Sequence, residues 1–333
     1  MAEKETKTKA RKNSVHIVGY LKENTLEDVT NNDGKRSIRG NLVIATDDLN
    51  SHKVQFYMNE KNKDGEENSD FAKMLELLPN KTTTIASFLK DHPGENYEVA
   101  KNASTKVWAQ ARLEEYASQE GERITSIVTI KGFKAGLKDA SDTFKPCANF
   151  TIDLYIGDVV DEVEYDGETP VPTGRVILRG LIPMYDKSVQ SIDFVAPVED
   201  NIAGYVKANY KKGQTTTING EIISIQEQVK KENDDAPACF GRPNEVQYST
   251  RFIRERRILG GSASPIKQGE EGCITNAEIK EGLAARALKM AENGKKAKAN
   301  KEAKENSEPK EAPKKQQEAD AAPKGFSDED FTW

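Results

Sequence analysis

The run Lys106-Val107-Trp108-Ala109-Gln110-Ala111-Arg112 sets an indole between two cations, with small apolar residues at every second position. On a strand successive side chains point to opposite faces. Val107, Ala109, Ala111 and Leu113 therefore face a core, and Lys106, Trp108, Gln110 and Arg112 face away from it. The same alternation over 53–59 buries Val54, Phe56 and Met58 and turns Lys53, Gln55 and Tyr57 outward. Over 124–133 the expected inward set is Ile124, Ser126, Val128 and Ile130, which leaves Thr129, Lys131 and Phe133 opposite, and 37–44 puts Arg39 and Asn41 on a polar side. Rings standing among Lys, Arg, Gln and Thr suit one chemistry above others. A nucleobase lies flat on the ring while neighbouring cations neutralise phosphates, worth about 1–3 kcal/mol per base whatever its identity. The alternative is a satellite core, with the rings packed beneath a helix over 70–78 or a long loop.

The second half carries a fainter version of this pattern. Arg175 and Arg179 share one strand side, Val176, Leu178 and Ile182 the other, and Tyr185 follows at a loop. Arg251, Arg254 and Arg256 lie in a run of four arginines in seven residues without clean alternation. Such a run reads either as a phosphate track or as a solvated, salt-bridged face. Catalysis is not expected. Cys147, Cys239 and Cys273 are isolated, His16, His52 and His92 stand at no metal-ligand spacing from them, and neither a P-loop nor a dinucleotide fingerprint occurs. No cofactor and no metal are expected.

The 333 residues, with 31% charged and 36% hydrophobic, must position these groups with limited apolar material. Strands are predicted over 15–22, 37–46, 53–59, 107–116, 124–133, 150–156, 175–183, 188–198, 215–226 and 248–259, where β-branched and aromatic runs are separated by Gly, Asn and Asp. Helices are predicted over 70–78, where Phe71, Met74, Leu75 and Leu78 share a face before Pro79, and around 202–210. Another is predicted over 276–290, where Thr275 and Glu278 form a capping-box pattern. Residues 291–325 contain no Val, Ile, Leu, Met, Phe, Tyr, Trp or Cys and hold nine lysines against seven acids. Such a segment cannot bury enough surface to offset ordering entropy. No apolar run reaches membrane-span length and the first residues do not resemble a signal peptide, so a cytoplasmic protein is expected.

The expected organisation is a basic arm (1–13), one domain over 14–165, a second over 173–262, a helix over 275–290, a disordered linker over 291–325 and an acidic, aromatic tip over 326–333. The order of parts repeats weakly, each half opening with a Gly-containing strand and continuing through a strand pair, a helical or loop excursion and a closing strand pair. The expected fold is mainly β: two tandem OB-like five-stranded Greek-key barrels with short helices and a disordered C-terminal tail. A single large sandwich and two unrelated β domains are the competing architectures. The net charge of −6 confines any nucleic-acid surface to a local patch.

The stretch Lys211-Lys-Gly-Gln-Thr-Thr-Thr-Ile-Asn-Gly-Glu-Ile-Ile-Ser resembles a strand of bacterial single-stranded DNA-binding proteins, in which a Lys-Gly turn leads into a β-rich run and a second Gly. The C-terminus is similar to that family and to phage-encoded replication single-strand binders, which close a disordered linker with a short acidic, aromatic tip. Here Ser327-Asp-Glu-Asp-Phe-Thr-Trp fills that place and ends in Thr-Trp, whereas the bacterial tip has a Pro before its terminal Phe. The resemblance implies a sequence-independent coat on single-stranded DNA in phage replication, recombination or repair. Its DNA contacts would be Arg39, Lys53, Tyr57, Lys106, Trp108, Arg112, Lys131, Phe133, Arg175, Arg179, Tyr185, Arg251, Arg254 and Arg256. Its tip, Phe326, Asp328, Glu329, Asp330, Phe331 and Trp333, would recruit replication or recombination proteins. An RNA-binding OB protein and a scaffold that binds only protein are the alternatives.

Overall fold

The computed structural model describes residues 11–31, 34–120, 123–139, 144–230 and 248–307. The strands among them are β1 (Asn13–Asn24), β2 (Glu27–Thr30), β3 (Arg36–Ala45), β4 (Ser51–Asn59), β5 (Lys106–Glu120), β6 (Arg123–Leu137), β7 (Cys147–Asp166), β8 (Thr169–Pro183), β9 (Val189–Ala196), β10 (Thr215–Lys230) and β11 (Tyr248–Gly261). The helices are α1 (Ser69–Leu75), α2 (Ile85–Asp91), α3 (Tyr97–Ala103), α4 (Ile202–Asn209) and α5 (Asn276–Ser307). The fold is mainly β.

Hydrogen bonding closes two circuits. In the first, β1 pairs with β3, β3 with β4, β4 with β6 in parallel, β6 with β5, and β5 with β1 again. In the second, β7, β8, β9, β11 and β10 follow the same order, with the β9–β11 contact parallel. The helical excursion falls at the same point in both, α1–α3 between β4 and β5 and α4 between β9 and β10. An antiparallel pairing of β1 with β7, from Asn13↔Ile152 to Val18↔Cys147, joins the circuits into one sheet.

Alternation decides the interior. Val54, Phe56 and Met58 on β4, and Val107, Ala109, Ala111 and Leu113 on β5, are buried as their phase requires. They share one core with Phe150, Leu178, Ile192 and Phe194 of the second circuit. Bending a sheet this tightly brings backbones together. A Cβ on Gly19 of β1 would fall 2.2 Å from the Ala45 carbonyl oxygen, so only glycine fits where β1 crosses from β5 and β7 to β3.

Several expectations are corrected. Strand β7 falls within the expected first domain (14–165), yet it pairs with β8 and β10 and so opens the second circuit. The interval expected between the two domains, 166–172, holds the turn of the β7–β8 hairpin, with Gly167 at φ +61°. Helix α1 stops at Leu75 rather than 78. Helices α2 and α3 add to the predicted set: each is seven residues, too short for a clear apolar period, and their signals are the Thr84–Ser87 capping box and the Asn96 cap. Ser126 is exposed rather than inward, because β5 and β6 go on pairing to Glu120 and Arg123, past the β4–β6 contact that closes the circuit. Helix α5 continues to Ser307, into the expected 291–325 linker, since Ala-, Lys- and Glu-rich sequence sustains helix by intrinsic propensity. The arm up to residue 10 and the segment 308–333 lie outside the described residues. Among the described residues no helix is long and apolar enough to cross a membrane, and no group of three or more His, Cys, Asp or Glu could hold a metal ion.

One inward polar group sets a pH dependence. His52 on β4 is buried, with Nε2 3.1 Å from Thr46 Oγ1 and no hydrogen-bond partner for Nδ1 among the described residues. Burial pushes its pKa from 6.5 down to about 4, against the opposing pull of Asp47. The unfolded ring takes up its proton near 6.5 and the folded ring only near 4, so stability present above 6.5 is lost as pH falls through that window. Between pH 7 and 4.5 the protein should lose about 2–3 kcal/mol more than a His52→Gln variant in urea denaturation. Parallel pH profiles for the two would exclude the imidazole as the cause.

Candidate nucleic-acid interface

Strands β3, β4, β6 and β5 lie side by side, and their register builds a row across the outer face. Asn41 pairs with Gln55, Gln55 with Lys131, and Lys131 with Arg112. Directly paired residues share a face, with Cβ atoms about 5 Å apart. Tyr116 closes the row's far side by donating its hydroxyl proton to Gln55 Oε1 at 2.9 Å.

The rings stand one step further along. Arg39 pairs with Tyr57, and Tyr57 and Phe133 each follow the parallel Phe56–Gly132 pair on adjacent strands. They are 57% and 49% exposed. A Cβ on Gly132 would fall 2.2 Å from the Phe56 ring, so the inner ring packs directly beneath Gly132 and holds the strand pair level. Phe133 is also the extra residue of a β-bulge: Ala111 pairs with Gly132 while Gln110 pairs with Lys134. The bulge breaks the two-residue period and brings Lys134 to the outer face beside Phe133. Strict alternation therefore missed Lys134.

Charge on this face is unbalanced in favour of cations. Glu114 serves both Arg112, at 3.4 Å, and Lys131, at 3.2 Å. Asp70 on α1 likewise serves Lys73 at 3.1 Å and Lys134 at 3.2 Å. The two cations hold the Asp70 carboxyl below its ordinary value, although burial acts in the opposite direction. Arg39 reaches Glu27 only at 3.9 Å, with both side chains more than half exposed. Lys53 is exposed on β4, pairing with Val43.

Trp108 occupies a different position. It pairs with Gly136 and Val18 and is half-buried, with the indole lying across β6 where a Cβ on Gly136 would meet Nε1 at 3.0 Å. Lys106 points to a second aromatic group, its Nζ 5.5 Å from the Tyr20 ring centre and 5.8 Å from that of Phe144. The Tyr57–Phe133 pair and the Trp108 region are thus separate patches of one circuit, three residues apart along β6.

The second circuit brings its arginines to partners within the chain. Arg175 lies between Glu162 (Nη2–Oε1 2.7 Å) and Glu255 (Nη1–Oε1 2.8 Å). Arg179 is held by both oxygens of Asp193, at 2.9 and 3.1 Å. Arg256 donates from Nε to the Asp193 carbonyl at 2.8 Å. Arg251 and Arg254 are exposed, with Arg254 over the Phe252 ring at 5.5 Å. Tyr185 stands fully exposed on the β8–β9 loop. Tip residues Phe326, Asp328, Glu329, Asp330, Phe331 and Trp333 lie outside the described residues.

A family model described as YorF matches residues 12–298, which takes in both circuits and most of α5. Among solved structures, the wild-type single-stranded DNA-binding protein of Thermus aquaticus and a deletion mutant of it each align with a TM-score of 0.42 and 12% identity. Each alignment covers 79% of this chain and 98% of the other. No curated protein matches the sequence.

Proposed function

The chain belongs to the YorF family, and we propose that this protein binds single-stranded DNA without sequence preference through an OB-type barrel. The observation that carries this reading is the outer face of β3, β4, β6 and β5, where the exposed Tyr57 and Phe133 rings adjoin clusters holding two cations to each carboxylate. Each ring offers a π-face that any base can use, and Arg39, Lys131 and Arg112 stand where backbone phosphates would pass. Both closed circuits carry the OB order of strands, with the parallel contact between third and fifth strands and the excursion before the fourth. The acidic tip serves to recruit replication or recombination proteins: Asp328, Glu329 and Asp330 would engage cations on a partner and Phe331 and Trp333 an apolar pocket.

Anisotropy titration of labelled oligo-dT across a salt series tests the reading. Neutralising three or four phosphates should give a slope of log affinity against log salt of about −2 to −3. Oligo-dT should bind well ahead of duplex DNA, whose bases are not free to stack. Equal affinity for duplex, or no binding at low salt, rejects the proposal, and preference for a matched RNA oligomer moves it to RNA.

A further inference from the structure

We infer that the bound strand follows the first circuit alone and that the outer face of the second is closed to nucleic acid. The inference rests on the single-strand binding proposed above and specifies where on the chain it occurs. Two closed circuits with the same strand order could carry the same surface, and their side chains differ where β5 meets β6 in the first and where β8 meets β11 and β9 in the second. On the first, Glu114 and Asp70 each answer two cations, so each cluster keeps a positive excess for a phosphate.

On the second, where Arg251 and Arg254 are exposed on the first half of β11, the ratio around Arg175 and Arg257 is inverted. Arg175 lies between Glu162 and Glu255, and Arg257 reaches Glu255 at 3.4 Å and Glu221 at 3.8 Å, so three carboxylates surround two guanidiniums. Arg179 is neutralised by the bidentate Asp193 pair. A phosphate would have to displace these charge-assisted bonds and would then meet residual negative charge. The hairpin joining β7 to β8 adds exposed Asp158, Asp161, Glu164 and Glu168, with Lys207 answering Asp161. The strand surface differs as well, the exposed rings Tyr165 and Tyr185 standing on the β7–β8 hairpin and the β8–β9 loop rather than on β9. The outward positions of β9 hold Ser191 and Asp193 where those of β4 hold Lys53, Gln55 and Tyr57, and the aromatic side chain of β9, Phe194, is fully buried.

The test uses the full chain and oligo-dT. Photo-crosslinking of the unmodified protein, followed by peptide mapping, should place adducts within residues 36–137. An adduct anywhere in 147–261, Tyr185 included, overturns the inference. In titrations Lys131→Glu should lower affinity about tenfold or more and flatten the salt dependence. Removing the neutral pair Arg179→Ala with Asp193→Ala should leave affinity within about twofold, a surface ion pair contributing little to the fold. Comparable losses from both changes overturn the inference while leaving single-strand binding intact. Failure of the wild-type chain to bind oligo-dT instead removes the function on which the inference stands.

Discussion

Tyr57→Ala combined with Phe133→Ala weakens oligo-dT binding by about 2–4 kcal/mol at fixed salt, the expected result if each ring stacks one base. The rings are uncharged, so the slope of affinity against salt stays that of the wild type while the intercept falls. Lys131→Ala does the reverse in character, giving a smaller loss and a slope reduced by about 0.7, because a phosphate contact contributes through counterion release. Tyr57→Phe keeps most of the affinity, since the π-face survives and the hydroxyl is not needed for stacking. Both rings are half-exposed or more, so thermal unfolding of the double variant should stay close to that of the parent. If the double variant binds as tightly as the parent with its fold intact, Tyr57 and Phe133 are not a stacking platform.

The second large effect concerns how the two circuits are held together. Glu115 lies where β5 runs on past the first circuit and meets β9 and α5, and its side chain is only 2% exposed. Oε2 accepts from Arg286 Nε on α5 at 2.9 Å and from the Ser191 backbone N–H on β9 at 3.1 Å, while Oε1 takes the second Arg286 nitrogen and the Ser126 hydroxyl. Burial alone would raise its pKa. Arg286, Ser126 and the Ser191 N–H outweigh that and hold it below the ordinary 4.5. The stabilisation is therefore present above pH 4.5 and lost as pH falls through the depressed value.

A second contact secures the same helix, Lys289 Nζ reaching Asp186 at 2.8 Å on the β8–β9 loop, so α5 clasps the β5 hairpin to the second circuit. Arg286→Ala strands a buried carboxylate and should cost about 3–5 kcal/mol in urea denaturation. The paired change Glu115→Leu with Arg286→Leu should recover most of that loss, because removing both charges also removes their desolvation penalty. A loss below about 1 kcal/mol for Arg286→Ala would mean that the clasp does not hold the circuits together.

The faces of the strands were legible from the chain itself. The two-residue period of β4 and β5 assigns every one of Val54, Phe56, Met58, Val107, Ala109, Ala111 and Leu113 to the interior and turns Tyr57 outward, since a half-buried strand has no other way to separate apolar from polar side chains. Phase fails where the backbone departs from regular pleating. The bulge at Phe133 hides Lys134, and the β5–β6 extension beyond the circuit exposes Ser126.

What the sequence by itself determined was thus a set of strands, their inner and outer faces, and the presence of rings among cations. Only the tertiary structure decided which strands close into which circuit, moving β7 to the second, and which charges remain available. A guanidinium is the same residue whether it meets a phosphate or a carboxylate. Lys131 shares the single carboxylate of Glu114 with Arg112, whereas Arg179 has Asp193 to itself and Arg175 has two acids, one of them Glu255, eighty residues away. Local periodicity carries no information about partners at that separation, because they meet only when the circuit closes.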